Sequence, residues 1–256
     1  MTFRLATWNV NSLKVRLPHL LDWLSAARPD VVCLQETKTE DANFPVSELE
    51  RAGYRSVYCG QKAYNGVAIL SRGPITDVAH GIPDFADDPK RTIAATIGDI
   101  RVVCLYAPNG EAPGTEKYAY KLRWYEALAR WIGEELPRRP RLAVLGDMNV
   151  APEDRDVHTP KRWEGKIHVS GPERDSLKSV FRAGLVDAFR LFPQPEKSFS
   201  WWDYRLKAFE RGWGLRIDLV MLSPALAARC AACTIDVAPR RLERPSDHAP
   251  VIADLA

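Results

Sequence analysis

Nine short apolar runs set the limits on what this chain can become: RLATW, DVVCLQ, GVAILS, TIAATI, IRVVCLY, RLAVLG, RIDLVMLS, TIDVA and APVIADL. They are rich in Val, Ile and Leu and too short for helices, so they read as buried strands. Helical patterns separate some of them. LPHLLDWLSAAR carries apolar residues at helical spacing, with Pro18 placed to suit its first turn. EKYAYKLRWYEALARWIGEEL reads as a long amphipathic helix, and ERDSLKSVFRAG as a shorter one with Gly184 at its C-terminal cap. Strands packed face to face with helices outside give an α/β sandwich. The chain has 256 residues, with no repeat and no Gly/Ser-rich linker, so residues 1–256 are read as one domain.

Six of these segments share a second property: a polar residue stands at the tip. Asn9 follows the first run and Glu36 the second. Tyr106 closes IRVVCLY and is followed by APNG, which carries Asn109. Asp147 follows LAVLG, with Asn149 two residues on. Asp218 opens DLVML, and Asp247 and His248 lie just before the last strand, bracketed by Pro245 and Pro250. A buried strand has no use for a carboxylate or amide at its end unless something satisfies it. Polar tips on several strands point to one rim where they converge.

The set is rich in oxygen, has a single histidine and no cysteine. That favours a hard cation, Mg²⁺ or Mn²⁺, over zinc. Asn and Tyr can donate to a phosphate without adding negative charge, and a cation offsets the carboxylates, so the set suits phosphodiester hydrolysis. No P-loop, G-x-G-x-x-G turn or G-x-S-x-G elbow competes with this reading. The backbone around Asp247 and His248 is restricted by the two prolines and is expected to be a loop that aims both side chains inward.

Composition adds less. Five cysteines, three of them in apolar or strand-like runs, and no secretory pattern suggest a reducing cytosol. The lone CAAC at 230–233 reads as two reduced thiols, since no second pair completes a zinc site. No apolar run is long enough to span a membrane. Net charge is only +3, but residues 161–216 hold twelve Lys/Arg against seven Asp/Glu. Aromatics alternate with those cations, from Trp163 to Trp213, a mixture that suits a nucleic-acid face or an ordinary charged surface over core aromatics.

TWNVNSL, CLQETK, NGVAILS, YAPNGE, LGDMNVAP, SWWDYR, GLRIDLVMLSP and RPSDHAPV, in this order, closely resemble the exonuclease III family of DNA repair nucleases. That family lies within the endonuclease/exonuclease/phosphatase superfamily. The resemblance spans nearly the whole chain. It implies a DNase I-like fold, a four-layered αββα sandwich of two mixed β-sheets. It implies a Mg²⁺- or Mn²⁺-dependent phosphodiesterase, with one or two ions, acting on double-stranded DNA with apurinic/apyrimidinic (AP) sites or damaged 3′ ends. The implied activities are 3′→5′ exonuclease, 3′-phosphatase and AP incision, performed by a cytoplasmic monomer.

By the same resemblance, Glu36 is the principal metal carboxylate, with Asn9 beside it and Asp247 a direct or water-mediated partner. Asp147 activates the attacking water close to the metal, and Asn149 binds phosphate nearby. Tyr106 and Asn109 contact phosphate or leaving group. Asp218 orients His248, which donates to the phosphate or serves as base. Trp201, Leu215 and Ile217 match positions that line a pocket for an abasic sugar, whereas Trp202 reads as core packing. Two positions depart from the pattern: Asn11 stands where some members carry an acid, and Leu215 where some carry tryptophan. His168 lies in a loop that touches DNA in the family. A bulky or cationic side chain there is expected to favour terminal 3′ chemistry over internal AP incision. A phosphatase of inositol or lipid phosphates on the same fold is the less favoured alternative.

Overall fold

A computed structural model describes residues 2–86 and 90–256. The chain opens with β1 (Phe3–Asn9), α1 (Leu13–Ala27) and β2 (Val31–Gln35), then α2 (Val46–Arg51), β3 (Arg55–Cys59), β4 (Val67–Ser71) and β5 (Ile75–His80). Next come β6 (Thr92–Ile97), β7 (Ile100–Tyr106), α3 (Glu116–Arg138) and β8 (Leu142–Asp147). Two helices follow, α4 (Pro160–Trp163) and α5 (Gly171–Arg182), then the short strands β9 (Val186–Asp187), β10 (Trp201–Trp202) and β11 (Gly214–Leu215). The chain closes with β12 (Asp218–Leu222), α6 (Pro224–Ala227), β13 (Cys230–Ile235) and β14 (Val251–Leu255).

Two six-stranded sheets result, ordered β13-β14-β1-β2-β4-β3 and β5-β6-β7-β8-β12-β9. Each is mixed: β1 with β2 and β7 with β8 run parallel, and the other neighbours run antiparallel. The sheets face each other across an apolar interior that includes Leu5, Val31, Ile69, Val102, Leu145 and Val220. α1 covers the outer face of the first sheet through Leu20, Trp23 and Leu24. α3 and α5 cover the second through Trp124, Leu128, Leu177 and Val180. The four-layered sandwich is therefore as expected.

Three details correct the sequence reading. α1 begins at Leu13, so Pro18 sits inside the helix and not in its first turn. The last strand of the first sheet's edge covers CAACTI, not TIDVA, because Asp236 turns out of the strand and accepts from the Trp23 indole at 2.9 Å. β3 and β5 carry no strong apolar run; both are edge strands, with one or both faces open. In β13 a bulge between Cys230 and Ala232 sets Cys230 opposite Leu255 and Cys233 opposite Ala253, so both face the apolar interior, and all five cysteines are free.

Candidate active site

The parallel pairs bring strand ends to one rim. Register places Asn9 beside Gln35, and Tyr106 beside Asp147. β12 runs antiparallel to β8, so its first residue, Asp218, pairs with the last of β8, Asp147. β1 and β8 also face one another across the sandwich. Polar tips from both sheets thus meet at one end of the seam between them.

Gly146 makes the close of β8 possible. Its φ is +155°, and a Cβ there would lie 1.9 Å from the Leu105 carbonyl oxygen. Glu36 stands one residue past β2 in a left-handed conformation, φ +50°, and Asn149 stands two residues past β8, also at +50°. Such residues need surroundings that hold them.

Ligand atoms of Glu36, Asp147 and His248 all lie within 4.8 Å of one another. Asn9 Nδ2 donates to Glu36 Oε1 at 2.8 Å and to Asp147 Oδ2 at 2.9 Å. The Asn149 amide N–H donates to Asp147 Oδ1 at 2.8 Å. Asn149 Nδ2 donates to the Ala107 carbonyl at 2.9 Å, and Asn109 Nδ2 to Asn149 Oδ1 at 3.4 Å. His248 Nδ1 lies 2.9 Å from Asp218 Oδ2, which also accepts from Ser200 Oγ at 2.6 Å. This leaves His248 Nε2 facing Asp147 Oδ2 at 3.8 Å.

The charges act on one another. Burial pushes the Asp147 carboxyl up to about 7; His248 opposes this, while Asp218 and Glu36 add to it. Burial alone would lower His248, but Asp218 and then Asp147 override it and raise the imidazole to about 10. Burial, with Glu36 and Asp147 next, pushes the Tyr106 phenol well above its ordinary value. Two carboxylates and an imidazole, with Asp147 and His248 buried and Glu36 half-buried, and further oxygens around them, fit a hard divalent cation. The cluster is a candidate metal site.

Three residues of the expected set have partners within the protein. Asn9 presents its amide nitrogen to the carboxylates, and its oxygen accepts from the Asn11 N–H at 3.0 Å, so it links Glu36 to Asp147 as a donor. Asn149 is likewise tied to backbone and to Asp147. Asp247 lies outside the tight cluster: its oxygens accept from Asn11 Nδ2 at 2.8 Å and Trp201 Nε1 at 3.0 Å. The segment carrying it is a loop with one isolated bridge between Trp201 and His248, as expected. Arg16 staples that loop, donating to Pro245 O at 2.9 Å and to Asn11 O at 2.6 Å.

The expected DNA-pocket residues are only partly open. Leu215 and Ile217 are 0% and 2% exposed, packed with Val157 and Val169 beneath Trp163 and Trp201. They form a floor packed by neighbouring apolar side chains, not an open wall. His168 is also buried, with φ +72°, its Nδ1 2.7 Å from the Asn149 carbonyl and its ring 6.1 Å from Trp201. Burial, then the nearby Lys121, lowers it to about 4, so it is a bulky neutral group and not a cation. Trp202 is core, as expected, stacked edge-on to Phe209 at 5.0 Å.

Lys38, which lies outside the polar strand tips, also reaches the site. Its ammonium lies 2.8 Å from Glu36 Oε2 and donates to Asn11 Oδ1 at 2.6 Å. The signal was present, since Lys38 ends the CLQETK motif.

The model of the Endonuclease/Exonuclease/phosphatase family matches residues 6–248, and the chain belongs to that family. It is 37% identical to exodeoxyribonuclease III of Haemophilus influenzae, over 97% of this chain and 98% of that one. A structure of the 3′ phosphatase NExo from Neisseria, bound to a product DNA hairpin, superposes with a TM-score of 0.97 at 42% identity, covering 99% of both chains. An AP endonuclease from Archaeoglobus fulgidus gives 0.95 at 40% identity, again over 99% of both. The fold is the DNase I-like sandwich, and the chain is a hydrolase of the nuclease kind.

Proposed function

We propose that this chain is a DNA repair phosphodiesterase dependent on Mg²⁺ or Mn²⁺, acting on duplex DNA as a 3′→5′ exonuclease, 3′-phosphatase and AP endonuclease. The observation that carries it is the meeting of Glu36, Asp147 and His248 at the seam of the sheets, with Asp218 behind the imidazole. Glu36 and Asp147 would hold the cation. When bound, it supplies positive charge to a phosphate oxygen and lowers the cost of the attacking hydroxide. Asp147, held by Asn9 and by the Asn149 N–H, takes the proton from the attacking water. His248 gives its Nδ1–H to Asp218 and points Nε2 at the phosphate as a donor. Asn109, Asn149 and Tyr106 offer neutral contacts to phosphate or leaving oxygen. Asp247 fixes Trp201 and Asn11 at the rim. The basic and aromatic stretch beside it suits a DNA backbone, and the chain works as a monomer.

One observation favours a narrower reading. The buried His168 ring lies beside Trp163 and Trp201, the two rings that pack on Leu215 and Ile217, and so takes up space an abasic sugar would need. That favours work at 3′ ends over internal incision, in line with the 3′ phosphatase among the similar structures. The test is a panel of duplexes carrying an AP site, a 3′-phosphate or a 3′-hydroxyl, with Mg²⁺ and then EDTA. Cleavage that EDTA abolishes supports the general proposal, and fast 3′-phosphate release with slow AP incision supports the narrower one. Activity indifferent to EDTA, or confined to inositol phosphates, overturns both.

A further inference from the structure

Helix α3 turns one polar ridge inward. Tyr118, Lys121 and Tyr125 follow at three- and four-residue spacing, so they share a face, and all three are buried. The Tyr125 hydroxyl donates to the Met148 carbonyl. Lys121 Nζ donates to the Asn149 carbonyl at 2.8 Å and to the Asn109 carbonyl at 3.0 Å. Its third partner is Glu173 of α5, and neither side chain of that pair has any solvent exposure. Glu173 also accepts from the His168 N–H at 3.0 Å and from Ser170 Oγ at 2.5 Å. Asn149 has the left-handed backbone noted above, a conformation asparagine tolerates, and its carbonyl is held there by the Lys121 ammonium. The Asp147 carbonyl accepts from the Ala107 N–H at 2.9 Å, so the carbonyls of three successive residues, 147 to 149, are each held.

We infer that the buried Lys121–Glu173 pair is a positioning element, which locks the loops bearing Asn109 and Asn149 into the geometry that presents both amides to the phosphate. An ammonium is suited to this: it gives three donors from one point, two for the carbonyls and one for the carboxylate. Neither residue touches substrate. The inference rests on the functional reading above, in which Asn109 and Asn149 meet the phosphate.

The test is the double variant Lys121→Met/Glu173→Gln, assayed for release of phosphate from a 3′-phosphate duplex in Mg²⁺. Removing both charges together avoids leaving one buried and unpaired. The expected result is kcat lower by about 10- to 100-fold, as for other supports one layer behind a site, with KM within about threefold. A folded double variant with unchanged kcat overturns the inference. Tyr125→Phe, a smaller change, covers the case in which the double variant does not fold. It should lower kcat severalfold at an unchanged KM, and wild-type kcat there would equally overturn the idea. Asn149→Ala is the reference. If it turns over normally, the functional reading fails; if it is inactive while the double variant is not, the positioning role alone fails.

Discussion

Asp218 is fully buried, and its carboxylate is shared between one imidazole and one hydroxyl. That arrangement fixes both the orientation and the charge of His248. The imidazole is raised above its ordinary value, to about 10, so it adds stability that is complete below about pH 6.5 and fades as pH climbs toward 10. In EDTA, Asp218→Asn should therefore be less stable than wild type, most so near pH 6, with the gap narrowing as pH rises. Urea denaturation at several pH values reads this directly; a gap that widens with pH contradicts it. With metal and DNA present, His248→Ala and Asp147→Asn should each lose turnover by orders of magnitude while DNA affinity holds, which single-turnover assays and binding titrations separate. At this scale the sequence announced the residue types but not their bonds. Asn9, Asp247 and Glu36 were legible as a polar set. Whether Asp247 faces a cation or the Trp201 indole depends on partners as far away in the chain as Asn11, and no local pattern records that.

Elements carried the more readable signal wherever both faces of a strand were buried. β2, β4 and β8 are buried throughout, and their unbroken apolar runs said so. β5 is almost wholly exposed and carries Asp77 at φ +52° within an irregular pairing, a protected edge whose sequence resembles a loop. Pro18 misled because proline favours the first turn, yet α1 starts earlier, with Leu13 already buried beside Val10 and Leu20. The element most exposed to a single change is the end of β8. Gly146→Ala would drive a methyl into the Leu105 backbone, and β7 and β8 pair there in register, so neither strand yields alone. We expect a loss of stability of about 2 kcal/mol or more, from overpacking plus an unfavourable φ, together with a kcat deficit because Asp147 is the next residue. A thermal melt with wild-type midpoint and normal turnover would remove that account of the glycine.

On the scale of the whole molecule, two sheets are pressed together by apolar contact, yet their shared rim gathers Glu36, Asp147 and Asp218 around one histidine. Burial in the sandwich raises the Asp147 carboxyl, and the like charges of Asp218 and Glu36 add to that rise against the pull of His248. A cation that binds the folded rim and not the unfolded chain relieves it. Stability should then rise with Mg²⁺ by about 2.7 kcal/mol at a hundred times the dissociation constant. For a domain of this size that is a melting temperature higher by roughly 5–10 °C. Glu36→Gln should remove most of the increment while leaving the metal-free melting temperature little changed, since the lost repulsion with Asp147 is offset by the lost, partly exposed Lys38 ion pair. Differential scanning calorimetry of both proteins across a Mg²⁺ series, with Ca²⁺ and EDTA as controls, decides it. Equal stabilisation of wild type and Glu36→Gln would place the cation elsewhere on the molecule, and the rim would then owe its acidity to something other than metal binding.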